Sequence, residues 1–162
     1  MRHMLLNASE AAHCLKNGQL IAYPTEAVFG LGCDPRNEKS VRTLLSLKQR
    51  PASAGLILIG SSFEQFAPWV EQVPAEQLQT AESTWPGPVT WLFPRANDVP
   101  DYVAGHHDTI AVRITSHKTS RELCQAFGSA LISTSANHTA AMPARSARFA
   151  PVPDAESFAP GR

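Results

Sequence analysis

Residues 20–33 read Leu-Ile-Ala-Tyr-Pro-Thr-Glu-Ala-Val-Phe-Gly-Leu-Gly-Cys. The apolar run from Leu20 to Tyr23 has the length of a buried strand, and Pro24 ends it because proline cannot continue a sheet ladder. A hydroxyl and a carboxylate follow, and then two glycines allow close backbone approach. The stretch predicts a strand that opens into a loop able to hold a polar small molecule, with an ordinary β-turn as the alternative.

Helical and strand patterns alternate irregularly along the rest of the chain. Asn7 or Ser9 is expected to cap the first helix and Gly18 to end it, while residues 61–64 have capping-box spacing. This alternation predicts one α/β domain around a twisted mixed sheet with flanking helices, over residues 1–150, followed by an irregular tail, residues 151–162. The predicted helices are 7–17, 37–48, one starting near 62, 74–84 and 116–127, and the further strands are 55–59, 89–93, 109–114 and 130–133.

Composition narrows the class of protein. The 162 residues carry 14 basic and 14 acidic side chains, and this neutral balance argues against strong nonspecific nucleic-acid binding. Three widely spaced cysteines form no CxxC pair, which fits a reducing compartment. Neither a signal peptide nor a membrane span is predicted, so we expect a soluble, cytoplasmic protein without membrane contact.

Two positively charged features suggest anion binding. Lys48 and Arg50 lie two residues apart where a helix gives way to a segment predicted to be extended, and together they suit a polyphosphate; a solvated helix end is the alternative. Arg113 ends an apolar strand whose alternation places it on one face with Thr109 and Ala111. If buried it needs an anionic partner, which is either a ligand or a salt bridge.

Three further motifs are polar or rigid. Residues 133–137, Ser-Thr-Ser-Ala-Asn, follow a predicted strand and offer hydroxyls and an amide to a ligand, with a serine-rich turn as the alternative. Residues 85–90, Trp-Pro-Gly-Pro-Val-Thr, predict a structural corner with a core tryptophan. Residues 106–108, His-His-Asp, lack a third metal ligand at a recognisable spacing, so a polar loop is expected there.

The order of these motifs resembles one family. Tyr-Pro-Thr-Glu, Lys-x-Arg-Pro, Trp-Pro-Gly-Pro-x-Thr, Ala-Val-Arg and Ser-x-Ser-Ala-Asn follow one another as in the YrdC/TsaC family of threonylcarbamoyl-AMP synthases, from about Asn7 to Arg148. The form of residues 25–30 and 48–51 is similar to the short bacterial type. The chain departs from the family at Thr115, where proline is frequent, and in the loop 138–142, where many members have glycine. The resemblance also implies a C-terminal segment beyond Arg162, so the tail is expected to be truncated.

The resemblance implies a large concave cavity and a reaction of L-threonine, bicarbonate and ATP that yields threonylcarbamoyl-AMP and pyrophosphate. ATP would be a substrate accompanied by Mg²⁺, without a metal held tightly by the protein. Partner proteins would transfer the product to N6 of adenosine 37 in tRNA.

Residue roles are also implied by the resemblance. The catalytic and phosphate-binding pair is expected to be Lys48 and Arg50. The remaining ATP contacts are expected at Thr109, Ser135, Asn137 and Arg145, and the threonine contacts at Thr25, Arg113 and Ser133.

Two other functions remain open. An RNA-binding or ribosome-maturation module would use the same concave face and would bind RNA tightly and in a salt-sensitive manner without ATP turnover, although no aromatic stacking motif supports it. For the synthase, weak RNA binding at most is expected. A carbamoyl-transfer domain of hydrogenase maturation shares the fold that the resemblance implies. The main reading requires that the cations at 48, 50 and 113 and the polar segment 133–137 converge on one hollow.

Overall fold

The computed structural model describes residues 6–24, 29–135 and 150–151. The five α-helices among them are α1 (Ala8–Lys16), α2 (Glu38–Leu47), α3 (Ala75–Glu82), α4 (Asp101–Ala104) and α5 (Lys118–Phe127). The strands are β1 (Ile21–Pro24), β2 (Phe29–Cys33), β3 (Ile57–Gly60), β4 (Trp91–Pro94), β5 (Thr109–Ile114), β6 (Leu131–Ser135) and β7 (Ala150–Pro151). Two 3₁₀ turns span Ala52–Ala54 and Phe63–Phe66.

The strands form one mixed sheet in the order β4-β5-β3-β6-β2-β1-β7. Strands β3 and β5 are parallel, and every other described pair is antiparallel. The prediction of a single α/β domain around a mixed sheet is therefore confirmed. The predicted concave cavity stays a prediction.

Each face of the sheet contributes to a separate apolar core. One face presents Leu31, Leu58, Val112 and Ile132 to the larger core, which α2, α4 and the aromatic residues near Phe93 complete. The opposite face presents a smaller group to α1 and α5, consisting of Ile21, Tyr23, Ile59 and Leu131. Burying both faces near the sheet centre explains why the strands there are almost continuously apolar.

Local sequence signals determine several helix boundaries. The Asn7 side chain accepts a hydrogen bond from the Glu10 backbone, and the Glu10 carboxylate accepts one in return from Asn7 N, which completes a capping box at α1. Asn37 caps α2 through Ser40 N at 3.1 Å. Gly128 ends α5 in the left-handed conformation, at φ +78°. These three predicted boundaries are confirmed.

The structure also corrects some boundaries. Residues 61–64 do not form a capping box; the Gln65 side chain accepts from Ser61 N instead, and only a 3₁₀ turn follows. Helix α5 begins at Lys118, with His117 rather than Ser116 at its N-cap. Ala150 and Pro151 pair with β1 as a short edge strand, which the sequence did not predict.

The corner at residues 85–90 is structural, as expected. The Trp85 ring lies 6.4 Å from Phe66 and 6.2 Å from Phe93, and its indole N–H donates to Val89 O at 2.8 Å. Among the residues that the structure describes, no helix combines the length and the hydrophobicity needed to cross a membrane.

Candidate functional site

Helices α1 and α5 cover only part of the second sheet face, and the rest of that face carries the predicted ligand-binding side chains. Cross-strand register places Leu92, Ala111, Ile57 and Ser133 side by side in one row across four strands. We call the members of this face outside the α1–α5 core the open half-face: Ile57, Leu92, Thr109, Ala111, Arg113, Ser133 and Ser135. Leu92 is 64% exposed, so this surface is accessible at its outer edge.

The burial pattern of β5 confirms the predicted partition of its side chains. Ile110, Val112 and Ile114 are buried in the larger core, whereas Thr109, Ala111 and Arg113 are partly exposed on the open half-face. Thr109 and Arg113 are four residues apart, about 13 Å along the strand. One strand therefore carries a hydroxyl and a cation at opposite ends of the same surface.

Strand β6 contributes two hydroxyls, and here the sequence interpretation was wrong. The predicted strand stopped at Ser133, but Thr134 and Ser135 continue β6 instead of forming a turn. The strand pairs with β2 in register, with Ser133 opposite Gly32 and Ser135 opposite Gly30. Because side chains alternate along a strand, Ser133 and Ser135 lie on the same face. Ser133 is 8% exposed, while Ser135 at the strand end is exposed.

Lys48 and Arg50 lie at the end of the sheet where β6 finishes and β3 begins. The Lys48 ammonium group donates to the Ser135 carbonyl at 2.5 Å. The Arg50 guanidinium donates to the Gly55 carbonyl at 2.8 Å, two residues before β3. Thr109 begins β5 at the same end, because β3 and β5 are parallel. The two cations and the hydroxyls of Thr109 and Ser135 thus border one edge of the open half-face.

The helix end, rather than an extended segment, orients the two cations. Arg50 N donates to Leu45 O and Gln49 N to Ser46 O, the bond pair of a Schellman motif. Gln49 occupies the left-handed position with φ +50°, where glycine is the usual residue. The prediction that residues 48–50 are extended was therefore wrong.

Arg113 has no counter-charge among the residues that the structure describes. The ion pairs found there join Arg42 to Glu38, Arg95 to Asp101 and Lys118 to Glu122. The Nε of Arg113 is buried and lacks a hydrogen-bond partner. A buried donor without an acceptor is costly, so this guanidinium is suited to an anionic ligand. The sequence left two partners open for Arg113, a ligand or a salt bridge at the strand end. No such salt bridge is found among the described residues.

Tyr23 is a site residue that the sequence reasoning missed. Its phenol donates to Ser133 Oγ at 2.5 Å, although the two residues are 110 positions apart. Burial raises the pKa of Tyr23 well above its ordinary value, while the Ser133 hydrogen bond and the positive charge of Arg113 oppose that rise. Tyr23 and Ser133 are thus joined by a hydrogen bond, and Arg113 lies two strands from Ser133 on the same sheet face. The signal available in the sequence was the tyrosine at the end of a buried strand.

Three predicted site residues, Thr25, Asn137 and Arg145, lie outside the described residues. Among the residues described, no group of three His, Cys, Asp or Glu side chains could hold a metal ion. A shallow recess on the outer surface of α2 contains none of the predicted site residues and is not the candidate site; it is lined by Glu38, Lys39, Arg42, Thr43 and Ser46.

Known proteins match most of the chain. The family model Sua5_yciO_yrdC, described as "Telomere recombination", matches residues 13–150. A threonylcarbamoyl-AMP synthase of Halorhodospira halophila is 52% identical over 136 residues, 84% of this chain and 71% of that protein. One of Idiomarina loihiensis is 54% identical over 140 residues, 85% of this chain and 75% of that protein.

A solved structure with a bound ligand is also similar. The crystal structure of P. abyssi Sua5 complexed with L-threonine matches with a TM-score of 0.75 and 35% identity. The match covers 82% of this chain but 39% of the P. abyssi chain, which is thus much longer. E. coli YciO, at 21% identity and a TM-score of 0.70, shares the fold. Because the family model matches residues 13–150 and these relatives are 52% and 54% identical, this chain belongs to the Sua5/YciO/YrdC family.

Proposed function

We propose that this chain is an L-threonylcarbamoyladenylate synthase. It would convert L-threonine, bicarbonate and ATP to threonylcarbamoyl-AMP and pyrophosphate in the cytoplasm. Partner proteins would then use the product to form N6-threonylcarbamoyladenosine at position 37 of tRNA. The observation that carries the proposal is the open half-face, where Lys48 and Arg50 border one edge and an Arg113 guanidinium with an unpartnered Nε lies farther along the same sheet face.

The threonine would bind at the Arg113 end of this surface. Arg113 is suited to the amino-acid carboxylate because a guanidinium offers two parallel donors to two oxygens. Ser133 lies two strands from β5, so that its Cα is about 10–12 Å from that of Arg113, a gap that an amino acid and the Arg113 side chain fill. Thr25, which directly follows β1 in the sequence, is proposed as the third contact.

The nucleotide would lie across the opposite edge. Lys48 and Arg50 would bind its phosphates, and the hydroxyls of Thr109 and Ser135 would contact it from the strand ends. Asn137 and Arg145 are proposed to complete this subsite. Mg²⁺ would enter as part of the MgATP substrate, because the described side chains here are cations and hydroxyls rather than the carboxylates that Mg²⁺ prefers.

The chemistry needs positioning and charge stabilisation rather than a protein nucleophile. The threonine amine adds to carbon dioxide derived from bicarbonate and loses a proton, which gives an N-carboxylate. A carboxylate oxygen then attacks the α-phosphorus of ATP as the bond to pyrophosphate breaks. Negative charge grows on the phosphoryl and pyrophosphate oxygens, where Lys48 and Arg50 would stabilise it.

The test is pyrophosphate release that depends on both L-threonine and bicarbonate. Lys48→Ala and Arg50→Ala should each lose most of this activity, since one charge-assisted contact contributes about 1.5–3 kcal/mol, roughly 10- to 150-fold. Lys39→Ala and Arg42→Ala are matched controls, because both side chains are exposed on the outer surface of the same helix.

The controls should keep normal activity. Near-normal turnover in both site variants would contradict the proposed phosphate role of Lys48 and Arg50. A wild-type chain that released no pyrophosphate but bound RNA in a salt-sensitive manner would refute the synthase and support the RNA-binding alternative.

A further inference from the structure

The buried tyrosine beside the candidate threonine site has a hydroxyl group that packing does not explain. Tyr23 is fully buried, and its ring belongs to the smaller core. Its hydroxyl is the only polar atom of that side chain, and it reaches from β1 past β2 to Ser133 on β6. A phenylalanine would fill the same apolar space, so the hydroxyl calls for a separate explanation.

The neighbouring strand leaves room for this reach. A Cβ atom placed on Gly32 would lie 2.8 Å from the Tyr23 ring and 2.9 Å from the Ile132 carbonyl, closer than such contacts permit. Gly32 sits between β1 and β6, directly opposite Ser133. The missing side chain is therefore what allows the Tyr23 ring to lie over β2 and its hydroxyl to meet Ser133.

Helix α5 also holds the end of β1 in place. Ser120 on α5, itself fully buried, donates its hydroxyl hydrogen to the Pro24 carbonyl at 2.6 Å. This bond fixes Pro24, the residue that directly follows Tyr23. Tyr23 is thus anchored by ring packing, by its own hydroxyl and by its chain neighbour, which makes it a rigid support for Ser133.

The hydrogen bond has a defined direction. A phenol carries one hydrogen, and Tyr23 has no other hydrogen-bond partner among the described residues, so it must donate to Ser133 to avoid burying an unused donor. Ser133 Oγ is then occupied as an acceptor at one lone pair. Its own hydrogen remains available to an acceptor on the open half-face, on the same surface as Arg113.

We propose that Tyr23 is a positioning residue that fixes the Ser133 hydroxyl as a hydrogen-bond donor toward bound L-threonine. The inference rests on the proposed function, because it names the support of the threonine subsite. It commits Ser133 to an acceptor atom of the amino acid, a carboxylate or hydroxyl oxygen, rather than to the ammonium group. The nucleotide edge near Lys48 is not involved.

The test is a double-mutant cycle on L-threonine binding. Tyr23→Phe should weaken L-threonine binding about two- to tenfold, the range for one neutral hydrogen bond, and leave ATP binding unchanged. In a Ser133→Ala background the same substitution should have no further effect, because its only route to the ligand has been removed. Tyr102→Phe is the matched control, since it changes the other tyrosine of the chain, on α4, and should leave both affinities at the wild-type value.

A measurement on the unmodified chain keeps the proposal testable if Tyr23→Phe does not fold. The chain has two tyrosines, so tyrosine labelled with ¹³C at Cζ gives two signals, and Tyr102→Phe assigns them. Saturation with L-threonine should shift the Tyr23 signal with the same dissociation constant that calorimetry gives. ATP alone should leave it in place.

The outcomes distinguish a failure of the proposed function from a failure of the positioning role of Tyr23. Wild-type protein that binds no L-threonine would refute the proposed function and the role of Tyr23 with it. Wild-type protein that binds L-threonine, with equal losses from Tyr23→Phe in the presence and absence of Ser133, would refute the positioning role alone. An unmoved Tyr23 signal on saturation would do the same.

Discussion

Replacing Arg113 with methionine should change stability and ligand binding in opposite directions. In the free protein, the buried Nε of Arg113 has no acceptor, and no carboxylate pairs with this side chain among the described residues. An unsatisfied buried donor costs about 1–3 kcal/mol, and methionine fills similar space without it. We expect Arg113→Met to leave the free energy of unfolding unchanged or to raise it by about 1 kcal/mol.

The same substitution should weaken L-threonine binding strongly. Loss of a charge-assisted contact to the amino-acid carboxylate costs about 1.5–3 kcal/mol, which is roughly 10- to 150-fold in dissociation constant. Urea unfolding measures the first effect and calorimetry with L-threonine the second. If Arg113 instead serves a structural ion pair, its removal leaves a partner unpaired, so the variant should be clearly less stable. A destabilised variant with unchanged threonine affinity would refute the reasoning.

Arg95 provides the matched control for this experiment. Its guanidinium donates to the carbonyls of Val99, Gly105 and His107 and to the Asp101 carboxylate. Arg95→Met should therefore lower the free energy of unfolding, because several acceptors lose their donor at once. L-threonine affinity should stay at the wild-type value in whatever fraction remains folded. The two substitutions are chemically identical, so the opposite outcomes would come from their surroundings.

Three further results follow from local geometry. Gln49→Gly should raise the free energy of unfolding by up to about 1 kcal/mol, because glycine adopts a positive φ without strain, whereas Gln49→Val should lower it. Urea titrations measure both changes, and equal stabilities of the two variants would show that the backbone of Gln49 is not strained. Gly32→Ala should destabilise by about 1–3 kcal/mol and weaken L-threonine binding, since its methyl group meets the Tyr23 ring; a neutral effect in both assays would count against that contact. The hydrogen bond from Arg95 lowers the pKa of Asp101 in the folded protein. The stability that this pair contributes is therefore present above the ordinary aspartate pKa and is lost as the pH falls through the lower pKa of the folded state. If Asp101→Asn left the acid side of the stability–pH curve unchanged, this contribution would be refuted.

Local signals in the sequence predicted the elements well where a single residue determines the backbone. Asn7 and Asn37 begin helices because their side chains satisfy free amides, and Gly128 ends one because it tolerates the left-handed conformation. Strand β5 was predicted over its full length, Thr109 to Ile114, because its alternation is strict and its buried residues are β-branched. The assignment of Arg113 to the face opposite Val112 followed directly.

The parts that failed depend on contacts that no short window contains. Ser135 has weak strand propensity and the predicted strand stopped at Ser133, but pairing with β2 extends β6 as far as Ser135. Gln49 adopts a backbone conformation that favours glycine, so a pattern based on glycine misses the end of the helix. The strand order and the contact of Tyr23 with Ser133 join residues far apart in sequence. The site could be predicted as a set of residues, but not as a surface.

The open half-face also explains why the site is polar in a sheet that is otherwise built for packing. Ser133 is nearly buried in a central strand, and the fold compensates for that cost with the Tyr23 phenol. It gives no such compensation to Arg113 Nε. A domain whose stability margin is about 5–15 kcal/mol gains nothing structural from an unsatisfied buried donor, so the balance is restored only when an anion binds. The Ser133 oxygen already accepts a hydrogen bond within the protein, and Ser133→Ala would leave the buried Tyr23 phenol without its acceptor, whereas Arg113 Nε has no partner to lose. This difference is why Arg113→Met, rather than Ser133→Ala, should separate function from stability.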